Sequence, residues 1–571
     1  MAGPAAWPAL VGILLGALAL GPGLARGFVL SYDMVFVPSP PMSAESFGLS
    51  GGPPRSMPSD VVVAVLSRAM PADVVQKLII ILIFVLACSG TAALLGTRAT
   101  TAGRSGPPAL ARLAAGVFYA WNPFVAERLI IGQWALLLGY AGLPWALRAA
   151  CAGGGRIPLR RLYVSLLPAA VGGFAAMGVS ALGAVPAAWC ADGRRANARR
   201  LAAVLMALGV LSLPWLIPAL LTGVHTDPTG VNAFAARADT PFGRAGSLLM
   251  LGGIWNAQTV PAGYGGVASV VWLAVALTAI GGYVLVARPR RTCPGVGIAA
   301  IAGFAIAAVG ITAPSRAVLR DLIAVWPGCA VLRDGQQYLA PLALAEAIGL
   351  GAVVAWLMAE LRNAVGGDPA LARGGAKARL SAGRAASALC VMAALAPVLL
   401  LPGLAWGAAG RLHAVQYPAD WLRARQIIDG DPHPGAVVLL PWAAYRRFPW
   451  NGGEAVLDPW PSLLHRPVIW NDALQVGDQT VAAENPAASR LTPVISSAGP
   501  LTAPLLSAGV RYVIVDAGSV LGRRGPRQAA EARLPGASVV LASGDLVVFR
   551  MPRSPAQAGA NRALPGSQEK A

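Results

Sequence analysis

Apolar residues run along this chain in long unbroken stretches, not in the short alternations of a soluble domain. A helix that spans a bilayer needs about 20 mostly apolar residues. Such runs lie near 8–30, 75–96, 128–147, 201–222, 267–287, 297–314, 339–361 and 385–409, with three shorter ones near 110–121, 162–176 and 180–191. Together they predict a polytopic α-helical membrane protein of about eleven spanning helices. The short pair over 162–191 also reads as a re-entrant hairpin. The first run lacks the basic start and the cleavage site of a secretory signal, so it reads as a retained span.

The polar stretches between the runs differ in charge. With the N-terminus in the cytoplasm, the inner loops fall near 97–112, 148–161, 191–200, 288–296 and 362–384, and each holds at least three Lys or Arg. Cytoplasmic loops carry that excess as a rule. The outer loops before residue 338 hold nine basic residues and nine acids, so they are neutral overall. This topology leaves everything after about residue 410 outside the membrane.

The pattern changes there. Tyr417-Pro418-Ala419-Asp420-Trp421 opens a helix, with Pro at its start and Asp in its first turn. The runs 435–440 and 511–516 read as buried strands, with a helical stretch near 501–509 before the second. Ser538–Leu541 and Leu546–Phe549 read as a strand pair around the turn at 543–545. The expected organisation is a transmembrane domain over 1–410 with a first outer loop at 31–74, a small α/β domain over 411–552, and a disordered Ala/Pro/Gln/Gly-rich tail over 553–571.

Composition supports this reading. Hydrophobic residues make up 56% of the 571 residues and charged residues 12%, half the usual share. That excludes an ordinary soluble enzyme. The net charge of +20 invites a nucleic-acid reading, but its placement in the inner loops makes it a topology signal instead. Only three of the 45 basic residues are Lys, a bias that points to a GC-rich coding sequence. The six Cys show no metal-ligand spacing, and the four His show none either. No P-loop or dinucleotide fingerprint occurs, which excludes an ATP-driven transporter with its motor in this chain. Asp429-Gly430-Asp431 has the shape of a nucleotide-sugar motif but reads as a turn.

Three stretches carry candidate chemistry. Tyr119-Ala120-Trp121-Asn122-Pro123-Phe124-Val125-Ala126-Glu127-Arg128-Leu129 is followed by Gly132-Gln133-Trp134, and Leu332-Arg333-Asp334-Gly335-Gln336-Gln337-Tyr338 precedes a span. Charges at membrane depth are paired or functional. Arg128 can hold a phosphate through its guanidinium fork, or form a structural ion pair. Arg333 and Asp334 pose the same choice. Glu346 lies about two turns into the next span, facing a cavity or snorkelling outward. Between the strands of the C-terminal region lie Trp442, Tyr445, Trp450, Trp460 and Trp470, beside Arg, Asn and Asp. Indole faces suit sugar rings; packing of the segment, or an interfacial belt, is the alternative.

These stretches, with the many spans, the acid in the first outer loop and the outer α/β domain, resemble the GT-C membrane glycosyltransferases. More specifically, the chain resembles the actinobacterial envelope members, the arabinofuranosyl- and mannosyltransferase-like proteins. The resemblance implies a GT-C-like fold and an inverting transfer of arabinofuranose or mannose. The donor would be a polyprenyl-phosphate sugar and the acceptor an envelope glycan or lipoglycan, with membrane lipids around the protein and no nucleic acid. It implies a base just outside the first span, and Asp33 matches by position. Glu45, Asp60 and Asp73 lie in the same loop and compete. Glu127, Arg128, Gln133, Arg333 and Asp334 become candidates for the donor phosphate and sugar, and the five aromatics candidates for the acceptor. No cofactor is called for by a motif, and a divalent cation is the one candidate. The alternatives are a non-catalytic GT-C-like scaffold for envelope assembly, and a lipid or glycan transporter.

Overall fold

The computed structural model describes residues 6–49, 56–96, 107–152, 158–191, 194–222, 226–286, 295–367, 375–516, 525–544 and 546–552. The tail at 553–571 and the inner-loop residues Arg98, Arg104, Arg156, Arg288, Arg290, Arg291 and Arg373 lie outside the described residues.

Every apolar run of the sequence carries helix among its described residues. Among the described residues, six helices are long and apolar enough to cross a membrane alone: Trp7–Leu24, Ala72–Gly96, Leu159–Trp189, Arg195–Leu221, Ala268–Leu285 and Gly335–Asn363. Two bent pairs raise this to eight, Val296–Ala308 with Ala313–Val325 and Ser387–Leu400 with Pro402–Ala409. The helices Ala109–Ala120 and Trp134–Ala150 are shorter. The count of about eleven therefore corresponds to fewer full-length spans. Leu205, Leu213, Leu220, Ile298 and Ile301 are exposed on these helices, an apolar surface that only lipid or protein can cover.

The stretch Leu159–Trp189 is not one straight rod. Gly173 sits at φ 78°, ψ −156°, outside the helical region. The ideal Cβ positions at Gly172 and Gly142 fall against Ala135 and against Pro168 and Ser165. Those at Gly139 and Gly183 fall against Ala176 and against Leu143 and Leu147. Residues 165–172 thus run toward the start of the Trp134–Ala150 helix, and residues 176–187 run back along it. The two short apolar runs form one helical hairpin that turns at a single glycine. A residue with a Cβ pays for that conformation, since positive φ forces it against its own carbonyl.

The chain then builds a small α/β domain. Strand β1 (Phe28–Val29), just after the first helix, pairs antiparallel with β2 (Ala414–Val415), so the domain starts beside the end of the first span. A five-stranded sheet follows in the order β10-β11-β9-β3-β6. Its strands are β3 (Ala436–Leu440), β6 (Val468–Ile469), β9 (Val510–Asp516), β10 (Ser538–Ser543) and β11 (Leu546–Arg550). β3 and β9 are parallel, and β11 returns antiparallel to β9. β3, β9, β10 and β11 are the expected strands, β6 is an addition, and the helices Ala419–Asp429 and Thr502–Ser507 lie at the expected places.

Alternation assigns the two faces of the sheet. Val437, Leu439, Tyr512, Ile514 and Val548 join the large core that continues into the membrane helices. Val438, Val513, Val515, Val547 and Phe549 pack with Leu491, Ile495, Leu501 and Leu505 of the covering helices. Two hairpins project from this sheet: β4 (Tyr445–Arg447) with β5 (Ala455–Leu457), and β7 (Leu474–Val476) with β8 (Gln479–Val481).

The hairpin turn at Gly173 makes a prediction. Gly173→Ala places a Cβ about 2.7 Å from the Met57 carbonyl oxygen at an unfavourable φ. It should lower stability by about 1–3 kcal/mol, read as an earlier unfolding midpoint in detergent. Gly281→Ala, in open space within a helix, is the control and should not.

Candidate functional site

The site is built around one short helix. Pro123–Ile130 starts at Asn122, whose side-chain oxygen accepts from the Val125 amide at 3.1 Å. Pro at the first position removes an N–H that would otherwise be orphaned. The Asn122 amide nitrogen donates back to the Phe118 and Tyr119 carbonyls and to the Tyr140 hydroxyl. Trp121 donates its indole N–H to the Leu401 carbonyl, 3.1 Å away on a distant helix. The Trp-Asn-Pro stretch is thus a helix start anchored from both sides.

Asp33 lies at the far end of this helix. Residues Ser31–Met34 form a tight turn, with Met34 N–H to the Ser31 carbonyl at 2.8 Å and Tyr32 at φ 44°. The Ser31 hydroxyl donates to the Ile130 carbonyl (2.6 Å), and the Asp33 amide to the Ile131 carbonyl (3.0 Å). Gly132, at φ 85°, lies directly beneath: a Cβ there would sit 2.2 Å from the Met34 nitrogen. Gly-Gln-Trp therefore begins with Gly for close approach.

The C-terminal domain closes the other side. Tyr32 exchanges backbone hydrogen bonds with β5, to Ala455 at 2.7 Å and from Leu457 at 2.9 Å. The Tyr445 hydroxyl, on β4, donates to the Asp33 carboxylate. Tyr32 donates its hydroxyl to Gln258 Oε1 at 2.6 Å. Tyr417 and Arg425 hold the first outer loop through the carbonyls of Phe36, Pro38 and Ser39. Asp33 is half-buried at the meeting of three segments that are far apart in sequence.

The donor-site candidates are held in ion pairs. Arg128 is 1% exposed and binds Asp334 through two bonds of 2.9 and 3.2 Å; it also donates to Gln133 at 2.7 Å. Arg333 pairs with Glu484 of the C-terminal region at 3.0 Å and lies over the Phe234 ring. Glu127 is buried and shares a hydrogen bond with Asp239. Burial, then the Asp239 carboxylate, pushes the Glu127 carboxyl up, and burial also raises Asp239 against the Gly253 amide that binds it. Such a pair favours one shared proton. Glu346 is fully buried and does not snorkel.

The aromatic candidates divide. Tyr445 reaches Asp33. Trp460 is fully buried and stacks on Trp421 at 4.4 Å, and Trp450 packs on Phe448, Tyr417 and Trp421. These two fill the segment, so the expected sugar platform is not open at them: the rings cover the apolar ground where the domain meets the first outer loop. Trp442 is half-buried and donates to Thr492, and Trp470 is half-buried.

The competing acids lie elsewhere. Asp73 accepts from the Gly27 amide at 3.1 Å and pairs with Lys77. Asp60 is half-buried near Glu45; burial and then Glu45 push its carboxyl up to about 7, against a hydrogen bond from Ser56. Asp429 ends the Ala419–Asp429 helix, and Asp431, just past its cap at Gly430, binds His433, Arg511 and Tyr512. Among the described residues, no three His, Cys, Asp or Glu side chains gather to hold a metal ion. The residues that sequence reasoning missed are Asp239, Gln258 and Glu484. Each is a single polar residue in an otherwise unremarked loop, and only the fold brings it to the site.

No protein-family profile matches the sequence, and no curated protein is significantly similar. Among solved structures, the arabinofuranosyltransferase AftD from mycobacteria aligns over 96% of this chain and 40% of its own, with TM-score 0.57 and 15% identity. A mutant form of that enzyme aligns over 96% and 41%, with TM-score 0.56 and 16% identity. An oligosaccharyltransferase of Archaeoglobus fulgidus aligns over 96% and 74%, with TM-score 0.36 and 13% identity. The chain thus shares the fold of the aligned part of the mycobacterial enzyme and spans about two fifths of that enzyme's length, 40% by alignment.

Two predictions follow from the charges. Arg128→Met should cost about 3 kcal/mol by orphaning Asp334, and Arg128→Met with Asp334→Leu should recover most of that loss; unfolding midpoints check both. For Asp60, the folded carboxyl binds its proton more tightly than the unfolded one. Its stability contribution is fully present below the ordinary aspartate value of 3.8 and is lost as pH rises through about 7. Asp60→Asn should therefore match wild type in acid and gain on it up to neutral pH, with a constant gap above.

Proposed function

We propose that this chain is a glycosyltransferase of the outer membrane face. It transfers arabinofuranose or mannose from a polyprenyl-phosphate donor to an envelope glycan or lipoglycan. The observation that carries the reading is the placement of Asp33. It stands just past the first span, in a turn clamped by Gly132, with its carboxylate at the seam between the membrane helices and the C-terminal domain.

In the proposed reaction the acceptor hydroxyl gives its proton to the Asp33 carboxylate as its oxygen attacks the anomeric carbon. The bond from that carbon to the phosphate oxygen breaks, polyprenyl phosphate leaves with the bonding electrons, and the configuration inverts. A positioned carboxylate base is worth about 10²–10⁴ in rate. Tyr445 orients it. Arg128, Gln133, Asp334, Arg333 and Glu484 form the floor on which the donor lies, and Trp442 and Trp470 are the aromatic candidates left for the acceptor. The N-terminus is placed in the cytoplasm and the C-terminal domain outside, on the arginine distribution.

A scaffold that has the fold without the reaction is the second reading. It is favoured by the internal pairing of Arg128 and Arg333, which leaves neither as an open anion site.

The test is transfer from radiolabelled polyprenyl-phosphate arabinose or mannose by the purified full chain. Asp33→Asn should reduce transfer at least about 100-fold with the fold intact. Tyr445→Phe should lower the turnover rate with little change in stability. Undiminished transfer by folded Asp33→Asn would remove Asp33 as base. No transfer by wild type with either sugar would favour the scaffold. For topology, a cysteine placed at the exposed Ser489 should react with an impermeant maleimide on intact cells. Labelling only after lysis would invert the assignment.

A further inference from the structure

We propose that Arg447, carried by the C-terminal domain, holds the phosphate of the lipid-linked donor, in place of Arg128 and Arg333. The proposal rests on the reading of Asp33 as the base of a polyprenyl-phosphate transferase.

The first argument is register. Residues two apart on a strand share a face. Tyr445 and Arg447 are two apart on β4, and Tyr445 reaches Asp33. Arg446, between them, points the opposite way. It is 1% exposed, 2.9 Å from Asp458, and donates to the Pro441 carbonyl. The buried Arg446–Asp458 pair therefore fixes which face of the strand looks at Asp33.

A second contact places Arg447 there independently. Its guanidinium donates to Gln258 Oε1 at 3.3 Å, and the same oxygen accepts from Tyr32, the residue next to Asp33. Carboxylate and guanidinium thus stand on one surface, joined through Tyr445 on one side and through Tyr32 and Gln258 on the other.

The third argument is charge. Arg447 is exposed, and its hydrogen-bond partners are neutral oxygens, Gln258 Oε1 and the Gly453 carbonyl at 2.8 Å. Arg128 and Arg333 are each matched to a carboxylate, Asp334 and Glu484. An anion brought to them must displace an ion pair, whereas an anion at Arg447 meets an unmatched cation with N–H groups to spare. Exposed Arg237 lies near the Asp239 carboxylate and is in part compensated. A guanidinium at the leaving phosphate also stabilises the charge that grows as the sugar departs. The competing structural role is a clamp on the β4–β5 turn through Gly453.

The experiment uses the full chain in nanodiscs, with farnesyl phosphate, farnesol and inorganic phosphate as probes, measured by calorimetry. Wild type should bind farnesyl phosphate well and farnesol and inorganic phosphate poorly. Arg447→Gln should weaken farnesyl phosphate about tenfold or more, Arg447→Lys less, and the exposed Arg423→Gln not at all. Unfolding midpoints should stay at the wild-type value for all three variants. If Arg447→Gln binds like wild type, or farnesol binds as well as farnesyl phosphate, the proposal fails. Equal competition by inorganic phosphate also overturns it, because the site then takes free phosphate, and so does the absence of binding to wild type. Transfer assays separate the two readings. Wild-type transfer with an unchanged donor KM in Arg447→Gln leaves the transferase and removes this site. Arg447-dependent binding without any transfer leaves the site and removes the transferase.

Discussion

The turn that carries Asp33 can lie where it does only because residue 132 has no side chain. Its Met34 amide and Ser31 carbonyl occupy the space a Cβ would take. From that contact the rest of the site follows. The turn is held down by the Ile130 and Ile131 carbonyls at the end of the Pro123–Ile130 helix. Tyr32 is buried there, and its backbone pairs with β5. The C-terminal domain is thus docked by the same turn that presents the carboxylate, and Tyr445 reaches Asp33 because the hairpin is registered on Tyr32. The turn and its seat on β5 are fixed by backbone contacts instead of long side chains, which holds the carboxylate in one place.

Around this seam the charges are arranged in pairs. Arg128 with Asp334, Arg333 with Glu484, and Glu127 with Asp239 each match a group that would be costly alone in a weakly solvated place. All three join segments far apart in sequence, and Arg333 with Glu484 ties the C-terminal region to the residues before the next span. The price is that these arginines are committed. The cation proposed to meet an anionic substrate, Arg447, stands on the domain that covers the site and pairs with neutral oxygens.

Much of this was legible in the sequence. The apolar runs gave the helices, the arginines gave a topology, and the strands of the small domain fell within a residue or two of their places. Asp33 was visible from its position after the first run. Two short runs near 162–191 looked like separate spans because nothing local says that Gly173 folds them against one neighbour. Pairing was not legible, because Tyr445 and Asp33 are 412 residues apart. Trp450 and Trp460 read as a sugar platform, since an aromatic-rich loop looks the same whether its rings face solvent or one another. Tyr445-Arg446-Arg447 held the most information and showed the least, as its period of two lasts only three residues.

The central claim is that membrane helices and C-terminal domain share one site at Asp33. The most direct measurement is electron cryo-microscopy of the full chain in nanodiscs with a non-transferable polyprenyl-phosphonate sugar. The account predicts density for the sugar beside Asp33 and Tyr445 and for the phosphonate at Arg447, beneath the β4–β5 hairpin. Density for the head group elsewhere, with Asp33 facing only protein, would contradict it.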